Sequence, residues 1–319
     1  MSYFPPSAPF SQAPAVSVFG KTVAHGDFVR IRANGDAGRE LQRMLVEGVE
    51  RLSSANLTLS DEPISFVVPD STATTVAVGV MRASQDAVGR RFPLAVFAEL
   101  PFRFFDGRLS LVPVAMASFL GDAEELLERA RVYDAGTLER ALTGIRIPDA
   151  MAVQGARALC RDALAREDAR RFLERSFGDL SLGTHHYGID TLLRATRPEP
   201  RTSRVGDLVL ECPVSIDVDL FGWLEIIDRR VHGAVPVAVA WTESPPRLLV
   251  SLGPPRATFL SYVARPGHDG QGLWPLFTRV ESAIRNAESR LSPGLRGLLA
   301  REGTLGGLVD GVVREGGPT

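Results

Sequence analysis

The first hundred residues alternate short apolar runs with turn-forming residues around one amphipathic helix, and this order strongly limits the possible folds. Short β-branched or aromatic runs predict strands at 16–19, 27–30, 64–68, 75–81 and 94–100. The last three strands follow one another through short connections, which favours antiparallel hairpins. The simplest arrangement of these strands is one five-stranded sheet, with a helix inserted in the chain after the second strand.

The predicted helix lies at 38–52, where apolar residues recur at helical spacing. Leu41, Met44, Leu45, Val49 and Leu52 fall on one stripe that can pack against a sheet. The resulting order, strand-strand-helix-strand-strand-strand, is the order found in longin and profilin-like domains. We therefore expect an α/β (α+β) fold with an antiparallel or mixed sheet and a longin/profilin-like order in the N-terminal half.

The rest of the chain is predicted to form a second, smaller α/β half. Asp122 and Glu125 resemble a capping box and predict a helix that begins there. Further predictions are a helical stretch at 149–176, a linker at 194–204, strands at 208–210, 235–241 and 247–253, and helices at 220–230 and 274–290. The expected organisation is a flexible leader at 1–14, an N-terminal domain at 15–145 and a C-terminal α/β domain at 146–319.

Composition excludes several classes of protein. The chain has 36 basic and 38 acidic residues and a net charge near −2, which argues against a nucleic-acid partner. Cys160 and Cys212 lack the spacing of a zinc site or a disulfide framework. No apolar run approaches the length of a membrane span, and the N-terminus lacks the pattern of a signal peptide. We expect a cytoplasmic protein without a cofactor and without membrane insertion.

The segment Gly20-Lys21-Thr22 raises the possibility of a nucleotide site. A phosphate-binding loop needs a glycine five residues before Gly20, and that position is Ala15. The intervening residues favour an extended strand. Lys21, the only lysine of the chain, is therefore expected to project from a bend at the end of the first strand.

A second segment places two arginines directly before a predicted strand. Gly89 supplies a bend, Arg90 and Arg91 follow it, and Pro93 suits the start of a strand. Two rigidly held guanidinium groups can bind an acidic group of a partner.

Together these two segments resemble the TagF family, an accessory family of bacterial type VI secretion. Family strings similar to "GKLPARGDFV" and "VGRRFPL" recur here in the same order, and a third similar stretch lies at 240–259. The family tryptophans in the helix and in the following strand are absent. The proline that is usual after Lys21 is also missing, and Thr22-Val23 replaces it. The residues that carry the resemblance, and that we take as candidate interaction residues, are Gly20, Lys21, Gly26, Asp27, Phe28, Asp86, Gly89, Arg90, Arg91, Phe92 and Pro93.

The resemblance implies a regulator and not an enzyme. Proteins of this family hold the secretion apparatus inactive after translation, in the cytoplasm, by engaging a forkhead-associated domain scaffold protein. Some relatives are fused to a phosphatase, whose metal signature is missing from this sequence. The resemblance therefore implies a post-translational repressor that works by protein–protein contact.

The two motifs also suggest a specific ion pair. They contain two guanidinium groups and the carboxylate of Asp27, which is next to a glycine bend. We hypothesise that Asp27 forms a salt bridge with Arg90 or Arg91, with Lys21 in the same polar cluster at a sheet edge. A separation beyond about 6 Å would contradict this hypothesis.

Two alternatives remain open from the sequence. The chain could be a nucleotide- or metal-dependent hydrolase that uses Lys21, His25 and Asp27. It could also be a structural subunit of the secretion baseplate.

Three other groups of residues carry weaker hypotheses. His185, His186, Tyr187 and Asp190 could take part in a metal site, and Asp190 shares a helical face with His186. A strand edge or a helix start explains Asp217 and Asp219. The tryptophans Trp223, Trp241 and Trp274 are expected to pack in the core or between the halves.

Overall fold

A computed structural model describes residues 15–197, 208–231, 237–265 and 272–315 of the chain. The predicted leader at 1–14 and residues 198–204 of the predicted linker lie outside these ranges.

The N-terminal half contains the predicted antiparallel five-stranded sheet. Its elements are β1 (Val16–Gly20), β2 (Val29–Ile31), α1 (Asp36–Ser54), β3 (Ile64–Pro69), β4 (Thr75–Arg82) and β5 (Leu94–Pro101). The strands lie in the order β2-β1-β5-β4-β3, with all pairs antiparallel. The helix follows the second strand as predicted. Strand β2 begins two residues later than predicted because Asp27 accepts the backbone N–H of Phe28 in a turn.

Six α-helices follow this sheet in the described residues up to 197. They are α2 (Val112–Ala115), α3 (Ala117–Ala130), α4 (Ala135–Leu142), α5 (Ala150–Arg166), α6 (Ala169–Phe177) and α7 (Thr184–Ala195). The predicted cap at Asp122 is wrong because α3 begins at Ala117, so that Asp122 lies within the helix. The predicted stretch 149–176 is divided into two helices, and the side chains of Asp149 and Asp168 cap their starts.

The C-terminal half mixes strands and helices. Its elements are β6 (Val209–Cys212), α8 (Asp217–Val231), β7 (Val237–Glu243), β8 (Pro246–Leu252), α9 (Ala257–Ala264), β9 (Leu273–Pro275), α10 (Glu281–Arg290), α11 (Pro293–Ala300) and α12 (Leu305–Arg314). The predicted hairpin is present as β7 and β8. The single helix predicted at 274–290 is wrong, because Trp274 pairs with β6 in strand β9 and the helix begins only at Glu281.

The two halves share one sheet in the described part of the chain. Strand β3 pairs antiparallel with β7, with Ser65 opposite Trp241 and Val67 opposite Val239. The full strand order is β2-β1-β5-β4-β3-β7-β8-β6-β9. A domain boundary at 145/146 remains a prediction, and this pairing means that strands from both sides of it are hydrogen-bonded to each other.

Both faces of the sheet are covered, which explains why its strands are apolar almost throughout. Along β3, Phe66 and Val68 pack beneath α1 and α9, whereas Val67 packs into the larger cluster on the opposite face. Trp223 is fully buried in that larger cluster, while Trp241 and Trp274 pack partly buried against it. The prediction of packing roles for the three tryptophans is therefore confirmed.

Helices α1 and α9, one from each half, touch at a glycine. A Cβ atom at Gly48 would lie 2.8 Å from the Cβ atom of Leu260. Glycine therefore lets the two helices approach closely on their shared face of the sheet.

We expect Gly48→Leu to lower the free energy of unfolding by about 1–3 kcal/mol, because the added side chain overpacks this contact. Chemical denaturation of the full chain measures the change. Gly121→Leu is the matched control, since Gly121 is an exposed residue of α3 with no neighbouring atom within 4 Å of an added Cβ. Equal stability of the two variants would contradict the close packing of α1 against α9.

Candidate functional site

The two motif segments leave the same end of the sheet, because β1 and β5 are paired neighbours. Gly20, the last residue of β1, lies opposite Leu94, the first residue of β5. Gly20 has a φ of 144°, and a Cβ atom there would lie 2.1 Å from the carbonyl oxygen of Pro93. Only glycine allows this approach. We call residues 20–28 and 84–93 together the loop clip.

Asp86 is the polar centre of the loop clip and is only 1% exposed. Its Oδ2 atom lies 2.9 Å from Nζ of Lys21 and 2.6 Å from Nε of Arg90. Its Oδ1 atom accepts the backbone N–H groups of Val88 and Arg90 at 3.1 and 2.8 Å. Burial alone would raise the pKa of Asp86, but these hydrogen bonds outweigh it and hold the pKa well below the usual value.

The hypothesised salt bridge of Asp27 is wrong. Within the described residues Asp27 forms no ion pair, and its Oδ1 atom accepts the N–H of Phe28 at 2.7 Å. Arg90 instead binds Asp86 and donates to the carbonyl oxygen of Gly26. Asp86 has the advantage that it lies in the same tight turn as Arg90, so the ion pair needs no long loop closure.

Three phenylalanines cover the buried ion pair. Phe28 stacks on Phe19 with a centroid distance of 5.3 Å and meets Phe92 edge to face at 4.7 Å. Nζ of Lys21 lies 5.1 Å from the centroid of the Phe28 ring. Lys21 is only 7% exposed, so the expectation that it projects from the bend is wrong. Its ammonium group is held between a carboxylate and an aromatic face.

Backbone groups join the two loops and tie them to a helix. The N–H of Ala87 donates to the carbonyl oxygen of His25 at 2.8 Å. The hydroxyl of Ser84 donates to the carbonyl oxygen of Lys21 at 2.7 Å. Nε2 of His25 accepts the N–H of Ala135, the first residue of α4, at 2.8 Å. The sequence reading missed Ser84 and Ala135, since nothing in their local pattern marks them.

The adjacent arginines of the second motif have different surroundings. Arg90 is bound within the loop clip, as described above. Arg91 is exposed, and no carboxylate of the described residues lies within ion-pair distance of it. Its backbone forms an isolated antiparallel bridge with Gln85. The structure therefore brings the candidate residues together as one unit but leaves the Arg91 guanidinium outside the polar cluster.

A second buried charge cluster, which the sequence reading missed, joins the halves. Glu225 of α8 is fully buried, binds Arg108, and accepts from Ser110 and Arg229 at 2.7 Å each. Burial raises the pKa of its neighbour Asp228 to about 7. The only sequence signal was an acidic residue within the apolar string "WLEII". Because every partner belongs to the protein itself, we assign this cluster a structural role.

The histidine pair of the predicted metal site lies on α7. The rings of His185 and His186 are 4.1 Å apart, and both Nδ1 atoms are buried without a partner in the described residues. Asp190 is bound by Arg290, with the shortest contact at 2.6 Å, and is therefore not available as a ligand. No group of three or more metal-ligating side chains occurs in the described ranges.

The aspartates of the α8 segment lie at a helix start, one of the two options from the sequence. Asp217 is the first residue of α8. Asp219 accepts the N–H groups of Ser215 and Ile216 and pairs with Arg175 at 2.8 Å. These contacts stabilise the helix N-terminus.

We expect Asp86→Asn to destabilise the protein far more than Asp27→Asn, because it leaves the buried ammonium of Lys21 without its counter-charge. Thermal unfolding measures the difference. Since Lys21 is the only lysine, amine acylation followed by peptide mapping reports directly on it. Acylation of Lys21 should be slow in the native protein and in Asp27→Asn, and faster in Asp86→Asn. The reverse order would support the Asp27 pairing instead.

We expect stability to fall on acidification because burial lowers the pKa of His185 from 6.5 to about 4. Between these two pKa values the unfolded chain binds more protons than the folded chain. The contribution of His185 to the free energy of unfolding is therefore complete above pH 6.5 and decreases towards pH 4. The loss from this residue is at most about 3 kcal/mol, and less where solvent screens the ring. Denaturation at several pH values should show a flatter profile for His185→Leu. Identical profiles for the two proteins would contradict the burial of a neutral imidazole.

Comparison with known proteins finds one family model that matches a region within the first half of the chain. Residues 17–145 match the family model of the TagF N-terminal domain, described as type VI secretion system-associated. No curated protein matches the chain. Among solved structures, the chain is similar to the crystal structure of PA0076 from Pseudomonas aeruginosa PAO1, with 16% identity, a TM-score of 0.45, and coverage of 82% of this chain and 99% of that chain. Both segments of the loop clip, 20–28 and 84–93, lie inside the matched region. The match indicates that residues 17–145 form a TagF N-terminal domain, and the family of this domain is described as type VI secretion system-associated.

Proposed function

We propose that this protein is a post-translational negative regulator of type VI secretion that acts in the cytoplasm by binding a forkhead-associated domain scaffold protein of the same system. The observation that carries the proposal is the match of residues 17–145 to the TagF N-terminal domain, together with the assembly of its two motifs into one rigid loop clip. In the described ranges, no helix has both the length and the apolar character needed to cross a bilayer.

The chemistry of the loop clip supports recognition over catalysis. Lys21 and Asp86 neutralise each other, Nε2 of His25 binds a backbone N–H, and Asp27 caps its own turn. A hydrolase of the Lys21/His25/Asp27 type needs these side chains to converge on a substrate with free lone pairs or protons. Their existing partners therefore favour a fixed scaffold.

The outer surface of the loop clip suits contact with a protein. Phe28 is 40% exposed and Val88 is 72% exposed, so the rigid turns present apolar side chains to the outside. Aromatic and arginine side chains on a rigid support are typical of protein interfaces. Because the loop clip is already ordered before it binds, the entropic cost of association is lower.

We expect the purified full chain to bind the purified forkhead-associated scaffold protein in the presence of EDTA and without nucleotide. Deletion of the gene should raise the secretion of effector proteins, and added expression should lower it. Isothermal titration with ATP and GTP is the control for the enzymatic alternative, and micromolar nucleotide binding would count against the regulator. Absence of scaffold binding together with unchanged secretion would refute the proposal. Recovery of the protein only in large assemblies would favour a structural subunit of the baseplate.

A further inference from the structure

An open groove of 690 Å³ lies beside the loop clip, between it and the end of helix α1. Its apolar lining includes Val23, Leu52, Leu57, Leu59, Phe92 and Pro93. Leu52 and Phe92 are buried, whereas Val23 is 39% exposed at the groove. The groove thus offers a partly accessible apolar surface at a position fixed by both motifs.

Two guanidinium groups line the same groove. Arg91 has no ion-pair partner among the described residues, and Arg131 shares its charge with Asp61 at 3.2 Å. Nε of Arg131 is buried and donates to no acceptor in the described part of the protein. The charged lining is therefore net positive by one unit, although the whole chain is slightly negative. An occupant with one negative charge complements it.

The loop clip determines where Arg91 lies. Arg90 is bound to Asp86 and to the carbonyl oxygen of Gly26, and successive side chains of an extended segment point to opposite sides. The bridge between Gln85 and Arg91 fixes the backbone at this point. Arg91 is thus directed to the groove because Arg90 is held on the other side, and its backbone is fixed there before a ligand binds.

We propose that this groove is the docking site for an extended segment of a partner protein that carries an aspartate or glutamate beside an apolar side chain. The carboxylate binds the guanidinium of Arg91 on the side of the groove where Arg131 also lies, and the apolar side chain packs on Leu57 and Phe92. A single carboxylate matches the single net charge, whereas phosphorylated residues are typically bound by clusters of unpaired arginines. This inference rests on the proposed function, since it names the surface through which the regulator binds.

Two variants test the groove by different means. Arg91→Glu reverses the charge, and Ser53→Trp fills the groove from the exposed face of α1 without a change of charge. Each should weaken binding of the purified forkhead-associated scaffold protein by about tenfold or more. Both side chains are exposed in the free protein, so the thermal unfolding midpoint should remain near that of the unaltered chain.

Matched controls separate the groove from general surface effects. Arg161→Glu reverses an exposed arginine of α5 that has no ion pair in the described residues. Ser54→Trp adds the same bulk one residue further along α1, outside the groove lining. Both control variants should bind the scaffold protein like the unaltered chain.

A cross-link identifies the occupant. Gln85→Cys carries benzophenone-maleimide selectively, because Cys160 and Cys212 are only 4% and 1% exposed. The segment cross-linked in the purified complex should contain an acidic residue next to an apolar one, and its change to lysine should restore binding to Arg91→Glu. Loss of binding after phosphatase treatment of the scaffold protein would overturn the carboxylate assignment.

The possible failures are distinguishable. If the unaltered chain binds the scaffold protein and Arg91→Glu and Ser53→Trp bind it equally well, the groove inference fails and the proposed function stands. If the unaltered chain does not bind the scaffold protein and deletion of its gene leaves secretion unchanged, the proposed function fails. The groove inference then fails as well. A cross-linked segment without an acidic residue overturns the inference alone.

Discussion

The loop clip depends on one buried carboxylate held between two cations. Asp86 binds Lys21 and Arg90 and also accepts backbone N–H groups of its own turn. A buried ion pair adds little net stability, but removing one member leaves a costly unpaired charge. The three side chains must therefore stay together, and this requirement fixes one arrangement of the two loops. The buried ion pair therefore specifies one conformation of the loop surface but adds little to the free energy of unfolding.

The sheet makes this arrangement possible before any side chain is considered. Antiparallel pairing of β1 with β5 brings the end of one strand beside the start of the other, although some seventy residues separate them in the chain. Gly20 allows its backbone to approach Pro93 at a distance that no Cβ atom permits. Hydrogen bonds between backbone groups then hold the loops together. Backbone geometry thus accounts for Gly20 and for Gly89, which has a φ of 84°, and charge accounts for Lys21, Asp86 and Arg90.

Hydrophobic periodicity was sufficient to predict the N-terminal sheet, because its strands are short apolar runs and the apolar residues of α1 recur at helical spacing. It was not sufficient for α3, where the apolar residues before Asp122 continue the helix. The candidate residues were also predicted to meet, but Asp27 was paired in place of Asp86. Both aspartates stand beside a glycine turn, so composition does not distinguish them. The choice depends on which side chain is directed into the space between the loops, and that direction follows from long-range strand pairing.

Two adjacent arginines of one motif thus have separate roles. The guanidinium of Arg90 is bound inside the loop clip, while that of Arg91 has no ion-pair partner among the described residues. In the proposed complex, loss of Arg90 changes binding indirectly, through the position of Arg91, whereas loss of Arg91 acts on binding itself. The same reasoning separates Phe92, which is buried against Phe28, from the exposed Val88. The second motif is thus an internal brace that lies beside the proposed binding surface, and measurements of stability together with affinity distinguish the two parts.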